Sequence, residues 1–230
     1  MQHPPLETIV EPLLEQSRCG QSNQALCSQI VSQVTRGKPV PPAALGASLQ
    51  IQQDELKQQL TQMPDVEYDQ AGNVVGWGLT LVPTPHQVQI RGKPLFTWCA
   101  FDTVQFPPAL QAEVQVHSTC PVTGEPIGFT LTPEGVLKDL TPAAAVMSLV
   151  VPEQSHGSSD GESMRTSFCE QSRFFQSEQA ASSWLATHPA AILLSMEEAT
   201  KLGQLVTRAC AGVTGTQPVF PLRSDSHSEE

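Results

Sequence analysis

Apolar residues recur at helical spacing twice in the first third of the chain. Leu26, Ile30, Val31 and Val34 predict a helix over 23–35, and Leu49, Leu56, Leu60 and Met63 one over about 53–63. Between them, "RGKPVPPAAL" predicts a turn from which Pro41 or Pro42 opens a further short helix. The pattern then changes. "VEYDQAGNVVGWGLTLV" reads as two strands joined by a Gly/Asn turn, and residues 86–96 as a strand pair. "AEVQVHS" alternates through Val114 and Val116, as a half-buried strand does, and a turn at Thr123-Gly124 leads to a strand through Ile127, Phe129 and Leu131. The continuous apolar run from Ala144 to Val151 predicts a buried strand. "PEQSHGSSDGES" is a polar loop that delivers the chain to "MRTSFCEQSRFF". One helix then begins near Ser177 and carries Trp184. Another begins at Ser195, where Glu198 three residues on completes a capping box. Strands and helices are segregated rather than alternating, so the fold class is α+β, with antiparallel sheets and flanking helices, and not a doubly wound sheet. The expected organisation is a flexible lead-in over 1–22 with one short helix, a winged-helix-like region over 23–82, a core over 83–212 and a disordered tail over 213–230.

Three short helices followed by a hairpin is the layout of many DNA readers, and charge decides against that use here. The net charge is −11, and residues 1–80 hold four basic residues (Arg18, Arg36, Lys38, Lys57) against eight acidic ones. The helix that would enter a groove is mostly Gln with Asp54, Glu55 and one Lys. A phosphate backbone needs a positive face, so the region is read as structural or substrate-covering, with no nucleic-acid partner. The longest mostly apolar run, Ala143 to Val151, is far short of the ~20 residues of a bilayer span. No basic region precedes an apolar stretch at the N-terminus, so no secretory signal is read. A cytoplasmic location and no membrane partner are the expectations.

Six cysteines occur at 19, 27, 99, 120, 169 and 210, none in C-x-x-C spacing. That argues against a zinc ribbon, and a reducing cytosol argues against a disulfide framework. Most of these thiols are expected to be buried, inert packing groups.

"TWCAFDTVQF" departs from that pattern. If Thr97 caps a helix that ends before Pro107 and Pro108, then Cys99 lies in the first turn and Asp102 three residues on, on the same face. Helix-end N–H groups would favour a thiolate at Cys99. Trp98, Phe101 and Phe106 would keep water from Asp102 and raise its pKa from ~3.9, leaving it protonated often enough to donate. By itself the segment also fits an amphipathic helix whose Asp faces solvent and whose Cys is core.

At "EYDQAGNVVGWGLTL", "WCAFDTVQFPPAL", "CPVTGEPIGFTLTPEGV", "AAAVMSLVVPE" and "RTSFCEQSRFF", with "AASSWLATHP" and "SMEEATKLGQ" further on, the chain resembles the organomercurial (alkylmercury) lyase family. The likeness runs in one order from about Asn23 to Val206. The resemblance implies protonolytic cleavage of a carbon–mercury bond to a hydrocarbon and Hg(II), with a catalytic trio at Cys99, Asp102 and Cys169. It implies two thiolates on mercury, an Asp that carries a proton between thiol and carbon, and Asp102 remaining near the bound Hg(II). It implies no organic cofactor and no metal beyond the substrate's own. An exogenous thiol or a mercuric reductase is expected to take the product. Trp98 and Phe101 are candidates for pocket lining, and Cys120 is structural in the family. The sequence departs from the family at Glu170, where many relatives carry a second Cys; a solvated loop residue is expected there.

Other residues have plainer readings. Met147 and Met164 are core fillers, His117 a surface or capping residue, and Trp77 and Tyr68 packing groups of the hairpin. Cys19 and Cys27 are expected to flank an exposed loop. The competing function is a thiol-based heavy-metal carrier or sensor without chemistry; such a protein has no need of an acid at position 102.

Overall fold

The computed structural model describes residues 3–17, 24–63, 65–151, 164–214 and 220. The helical periodicities of the first third become four helices. The first, α1 (Leu6–Ser17), occupies the stretch expected to be a flexible lead-in. Its Leu6, Ile9 and Leu13 stand three and four residues apart and are buried, and the helix lies against the last helix of the chain. Then come α2 (Gln24–Val34), α3 (Pro42–Leu49) and α4 (Gln53–Thr61). Pro41 is extended and Pro42 takes the first helical position, where the missing N–H costs nothing. Leu26, Ile30 and Leu45 are fully buried between these helices and the first strands.

Eight strands form one antiparallel sheet. They are β1 (Glu67–Tyr68), β2 (Val74–Trp77), β3 (Leu79–Thr80), β4 (His86–Ile90), β5 (Lys93–Thr97), β6 (Val114–Thr119), β7 (Pro126–Leu131) and β8 (Leu137–Thr141), in the order β1-β2-β3-β5-β4-β6-β7-β8. Alternation predicts its inner face: along β6, Val114, Val116 and Ser118 are buried while Gln115 and His117 are exposed. A second sheet has β9 (Val146–Val150) between β10 (Phe174–Phe175) and β11 (Ala191–Ser195). The run Val146–Leu149 is buried at every position, which is why it reads as continuous rather than alternating. Short β3, β8, β10 and β11 were not anticipated as separate strands: their pairing partners, rather than their own periodicity, define them.

Two helices back the sheets, α5 (Ala100–Leu110) and α8 (Met196–Thr214), packed on each other. Ser195 begins α8 as expected: its N–H donates to Glu198 Oε2 at 2.8 Å, and the Glu198 N–H donates to Ser195 Oγ at 3.2 Å. Between β9 and β10 stand a one-turn helix, α6 (Met164–Ser167), and a 3-10 turn, Cys169–Gln171. After β10 comes α7 (Glu178–Leu185), capped by Ser177. The polar loop expected over 152–163 lies outside the described residues. The expected tail begins inside α8. Its one described residue beyond 214, Phe220, is buried against Phe106 with ring centroids 5.9 Å apart.

Candidate functional site

The chain leaves β5 and turns directly into α5. Cys99 is the N-cap, with extended backbone (φ −144°, ψ 171°), and not a first-turn residue capped by Thr97 as the sequence suggested. Nor does the helix stop before Pro107 and Pro108; both lie inside it, and it runs to Leu110 before Gln111 turns left-handed. Cys99 and Asp102 form a capping box. The Cys99 N–H donates to Asp102 Oδ2 at 3.1 Å, and the Asp102 N–H donates back to the Cys99 sulfur. The carboxyl is thus turned towards the thiol, not out to solvent.

Cys169 comes to the same point from the opposite side, in the 3-10 turn. Cys99 is fully buried, Cys169 is 3% exposed, and Asp102 keeps partial access to solvent. The two sulfurs and a carboxylate oxygen lie within 4.8 Å of one another, the one such metal-capable group among the described residues. A divalent metal bonded to two thiolates at ~2.3 Å or slightly more holds the sulfurs some ~4.6 Å apart, and the sulfurs here, no farther apart than 4.8 Å, are within reach of one soft ion.

Burial shifts all three groups in the same direction. Burial pushes the Asp102 carboxyl up to about 7, against the pull of the Cys99 thiol and of backbone hydrogen bonds from Cys99 and Trp98. Burial also raises Cys99 well above an ordinary thiol, assisted by its hydrogen bond to Cys169 and by the nearby carboxylate and sulfur charges. The expected thiolate-favouring helix end is overridden, because desolvation exceeds the single N–H that reaches this sulfur. At Cys169 the strongest influence is the hydrogen bond with Cys99, which favours thiolate; burial and the charges of Asp102 and Asp65 outweigh it, and the thiol still ends above its usual value. Both thiols are thus held protonated more firmly than a free cysteine, Cys99 more so than Cys169.

The surroundings are apolar with one cation. Trp98 is buried, and the Arg165 guanidinium lies over its ring at 5.5 Å from the centroid. Arg165 also pairs with Glu67 of β1, joining the hairpin to the segment that carries Cys169. Phe101 meets Phe168 edge to face at 6.0 Å. At Gly78 (φ +71°) an added Cβ would come 3.2 Å from Phe106 and 4.0 Å from Asp102 Oδ1, so the glycine keeps the space beside the acid open. Arg165, Gly78 and Glu67 were missed in the sequence, although the glycine between Trp77 and Leu79 was a visible signal.

The remaining candidates fall elsewhere. Cys120 is buried outside the trio; its thiol is desolvated, yet hydrogen bonds from Thr123, Gln176 and Val122 bring it below the usual thiol value. Met147 is core and His117 is exposed. The Met164 side chain and Cys19 lie outside the described residues. Tyr68 is 47% exposed and so is not the packing group expected, whereas Trp77 is partly buried. Cys27 is no exposed loop thiol: it sits on α2, and burial pushes it to about 12. Cys210 is disulfide-bonded, which corrects the expectation of thiols throughout; Cys27, Cys99, Cys120 and Cys169 are free. Glu170 is exposed and borders an open cleft with Arg173, Trp184 and His188.

With this geometry in place, comparison with known proteins gives a single answer. Residues 79–208 match the family model described as alkylmercury lyase, and residues 6–78 the one described as the helix-turn-helix domain of alkylmercury lyase. A protein of Bacillus cereus named alkylmercury lyase is 37% identical, over 87% of this chain and 90% of its own length. One of Pseudomonas putida with the same name is 39% identical, over 77% and 80%. Among solved structures, the mercury-bound form of MerB2 superposes with a TM-score of 0.70 at 26% identity, covering 89% of this chain and 98% of that one.

Proposed function

The chain belongs to the alkylmercury lyase family, and from that premise we propose how its own side chains cleave the carbon–mercury bond of an organomercurial. Cys169 binds mercury first. Of the two thiols it is the less strongly raised, and its proton leaves with the ligand it displaces from mercury. The Cys99 thiol then passes its proton to the Asp102 carboxylate, to which it is hydrogen-bonded, and bonds the metal as thiolate.

With two soft sulfurs on mercury, electron density shifts towards the attached carbon. The electron pair of the breaking C–Hg bond takes the proton from Asp102. Hydrocarbon leaves, Asp102 is again a carboxylate, and Hg(II) remains between two thiolates. Atoms and charge balance: one thiol proton departs at capture, and the other ends on carbon. An acid with a pKa of about 7 is partly ionised and partly protonated at neutral pH, so it can both accept a proton from a thiol and donate one to carbon. No organic cofactor takes part.

The single observation that carries the reading is the approach of the two sulfurs and the carboxyl to within 4.8 Å. A carrier would use the thiols alone; the acid beside them, its pKa raised by burial, favours bond cleavage. Bound Hg(II) is removed by exchange with small thiols of the cytoplasm or with a thiol-bearing mercuric reductase, since two protein thiolates release it slowly unless another thiol attacks. Among the described residues no helix is long and apolar enough to cross a membrane. Benzene evolution from phenylmercuric acetate in excess cysteine tests the assignment. The wild-type chain is expected to turn over, and Cys99→Ala or Cys169→Ala to release no benzene; full turnover by either variant would sink it.

A further inference from the structure

The two sulfurs belong to segments 70 residues apart, and Ser172 is where those segments are joined. Its carbonyl accepts the Ala100 N–H at 3.2 Å, and its hydroxyl accepts the Phe101 N–H at 3.0 Å. Its own N–H donates to the Cys169 carbonyl at 3.2 Å, closing the turn that presents the second sulfur. Ser172 is fully buried, so none of these bonds is exchanged for water.

An α-helix begins with N–H groups that no residue of the helix can satisfy. The usual remedy is an oxygen on the N-cap side chain. The N-cap of α5 is a cysteine, whose sulfur is a weak acceptor and takes only the Asp102 N–H. The first two N–H groups are left to find buried partners, and Ser172 supplies both. On its far side the same strand of chain is held by β9: the Ser148 hydroxyl donates to the Gln171 carbonyl at 2.8 Å, and the Arg173 N–H donates to Ser148 Oγ at 3.0 Å. The turn with Cys169 is thus fixed between β9 and the start of α5.

We propose that Ser172 is the positioning residue for the reaction, its hydroxyl setting the distance and angle between the Cys99 and Cys169 sulfurs by capping the helix that Cys99 begins. The proposal rests on the trio assigned above. Capture of an organomercurial by one thiol does not depend on where the other thiol stands. The second sulfur must reach a metal already held by the first, and a misplacement of ~1 Å at such a step costs on the order of 100-fold. Loss of the hydroxyl should therefore act on bond cleavage and spare capture.

Single-turnover experiments on the full chain separate the two. Enzyme is mixed with one equivalent of phenylmercuric acetate; capture is followed as loss of one titratable thiol and cleavage as benzene in the headspace, both per folded molecule. For Ser172→Ala the expected result is capture at the wild-type rate, benzene release slowed about 10–100-fold, and faster removal of bound Hg(II) by glutathione. If the alanine variant yields no folded protein, Ser172→Gly, which keeps the carbonyl without the hydroxyl, is read in the same way. Benzene release at the wild-type rate overturns the proposal, and so does an equal loss of capture and cleavage, which would mark a merely structural residue. Cys169→Ala run in parallel keeps the two ideas apart: benzene release by that variant would refute the trio, whereas its silence beside a fully active Ser172→Ala would refute only the role of Ser172.

Discussion

Gly203 of α8 lies on the backbone of Val104 in α5: a Cβ at 203 would stand 2.5 Å from the Val104 carbonyl oxygen and 2.8 Å from its carbon. Those atoms are backbone and cannot swing aside, so the helix that starts with Cys99 and carries Asp102 has its position set from behind by the absence of one side chain. Gly203→Ala would push the two helices apart. Over-packing of this kind costs about 1–3 kcal/mol. A fall of that size in the unfolding free energy from urea titration, with slowed benzene release, is expected; an unchanged midpoint would show that the contact is looser than described.

Asp102→Asn keeps a side chain of the same shape but cannot carry the proton. A placed acid is worth about 100- to 10,000-fold, so benzene release should fall by at least 100-fold while Hg(II) is still retained in equilibrium dialysis by the two thiols. Turnover within a few-fold of wild type would remove Asp102 from the proton path.

The same substitution should change how stability depends on pH. The Asp102 carboxyl titrates at about 7 in the folded chain, raised by burial, and near ~3.9 when unfolded. Between those values the folded state holds a proton that the unfolded state has released. Stability from this group is therefore fully present below the unfolded value and is lost as pH rises towards 7. Asparagine has no such slope. Asp102→Asn should match wild type near pH 4 and exceed it above pH 7 by about 1–3 kcal/mol, a range reduced for the partial exposure of the residue. Urea titrations at pH 4.5 and 8 measure the difference, and parallel shifts at both would contradict it.

His86 contributes with the opposite sign. Burial, with the Arg173 charge adding to it, holds its folded pKa down to about 3. Its Nδ1 is 2.9 Å from Ser118 Oγ, the Phe174 ring stands edge-on at 5.7 Å, and Nε2 has no hydrogen-bond partner among the described residues. An unfolded His takes its proton near ~6.5. Stability from this group is present above that pH and is lost as pH falls towards 3, by up to ~4 kcal/mol. His86→Gln should flatten the acid limb of the stability profile between pH 6.5 and 4; an unaltered limb would show that other groups set it.

Phe220 gives the tail an anchor. Its N–H donates to the Ala109 carbonyl at 3.0 Å, and its ring packs on Phe106, whose other side faces the glycine beside Asp102. Phe220→Ala should cost about 3–5 kcal/mol. Removing 221–230 should cost nothing measurable if Phe220 is the contact that matters. Thermal unfolding of the two variants separates them.

Much of this was legible along the chain. The spacing of Leu26, Ile30, Val31 and Val34 announces α2, Pro42 marks the start of α3, and Ser195 with Glu198 marks that of α8, because each signal lies within one turn of the element it begins. The layout of three helices and a hairpin, and its acidic charge, were equally readable. The strand β8 and the short β3, β10 and β11 were not, since their pairing partners rather than their own residues make them strands. The cap of α5 was misplaced by two residues for a related reason: Thr97 is the better N-cap by residue type, but its hydroxyl donates to the Cys99 carbonyl instead, while a distant serine meets the helix N–H groups.

The sequence alone determined which residues can do chemistry: two cysteines and an aspartate, in segments whose likeness to one family is specific. Residue identity is all that soft-metal binding and proton transfer require of the ingredients. The tertiary structure alone decided that these three share a volume under 5 Å across, that both thiols are raised by burial, and that a carboxyl stands at about 7. Those properties arise from desolvation and from bonds between positions 70 residues apart. Neither is written into local periodicity, because burial is a property of what surrounds a side chain and not of its neighbours along the chain.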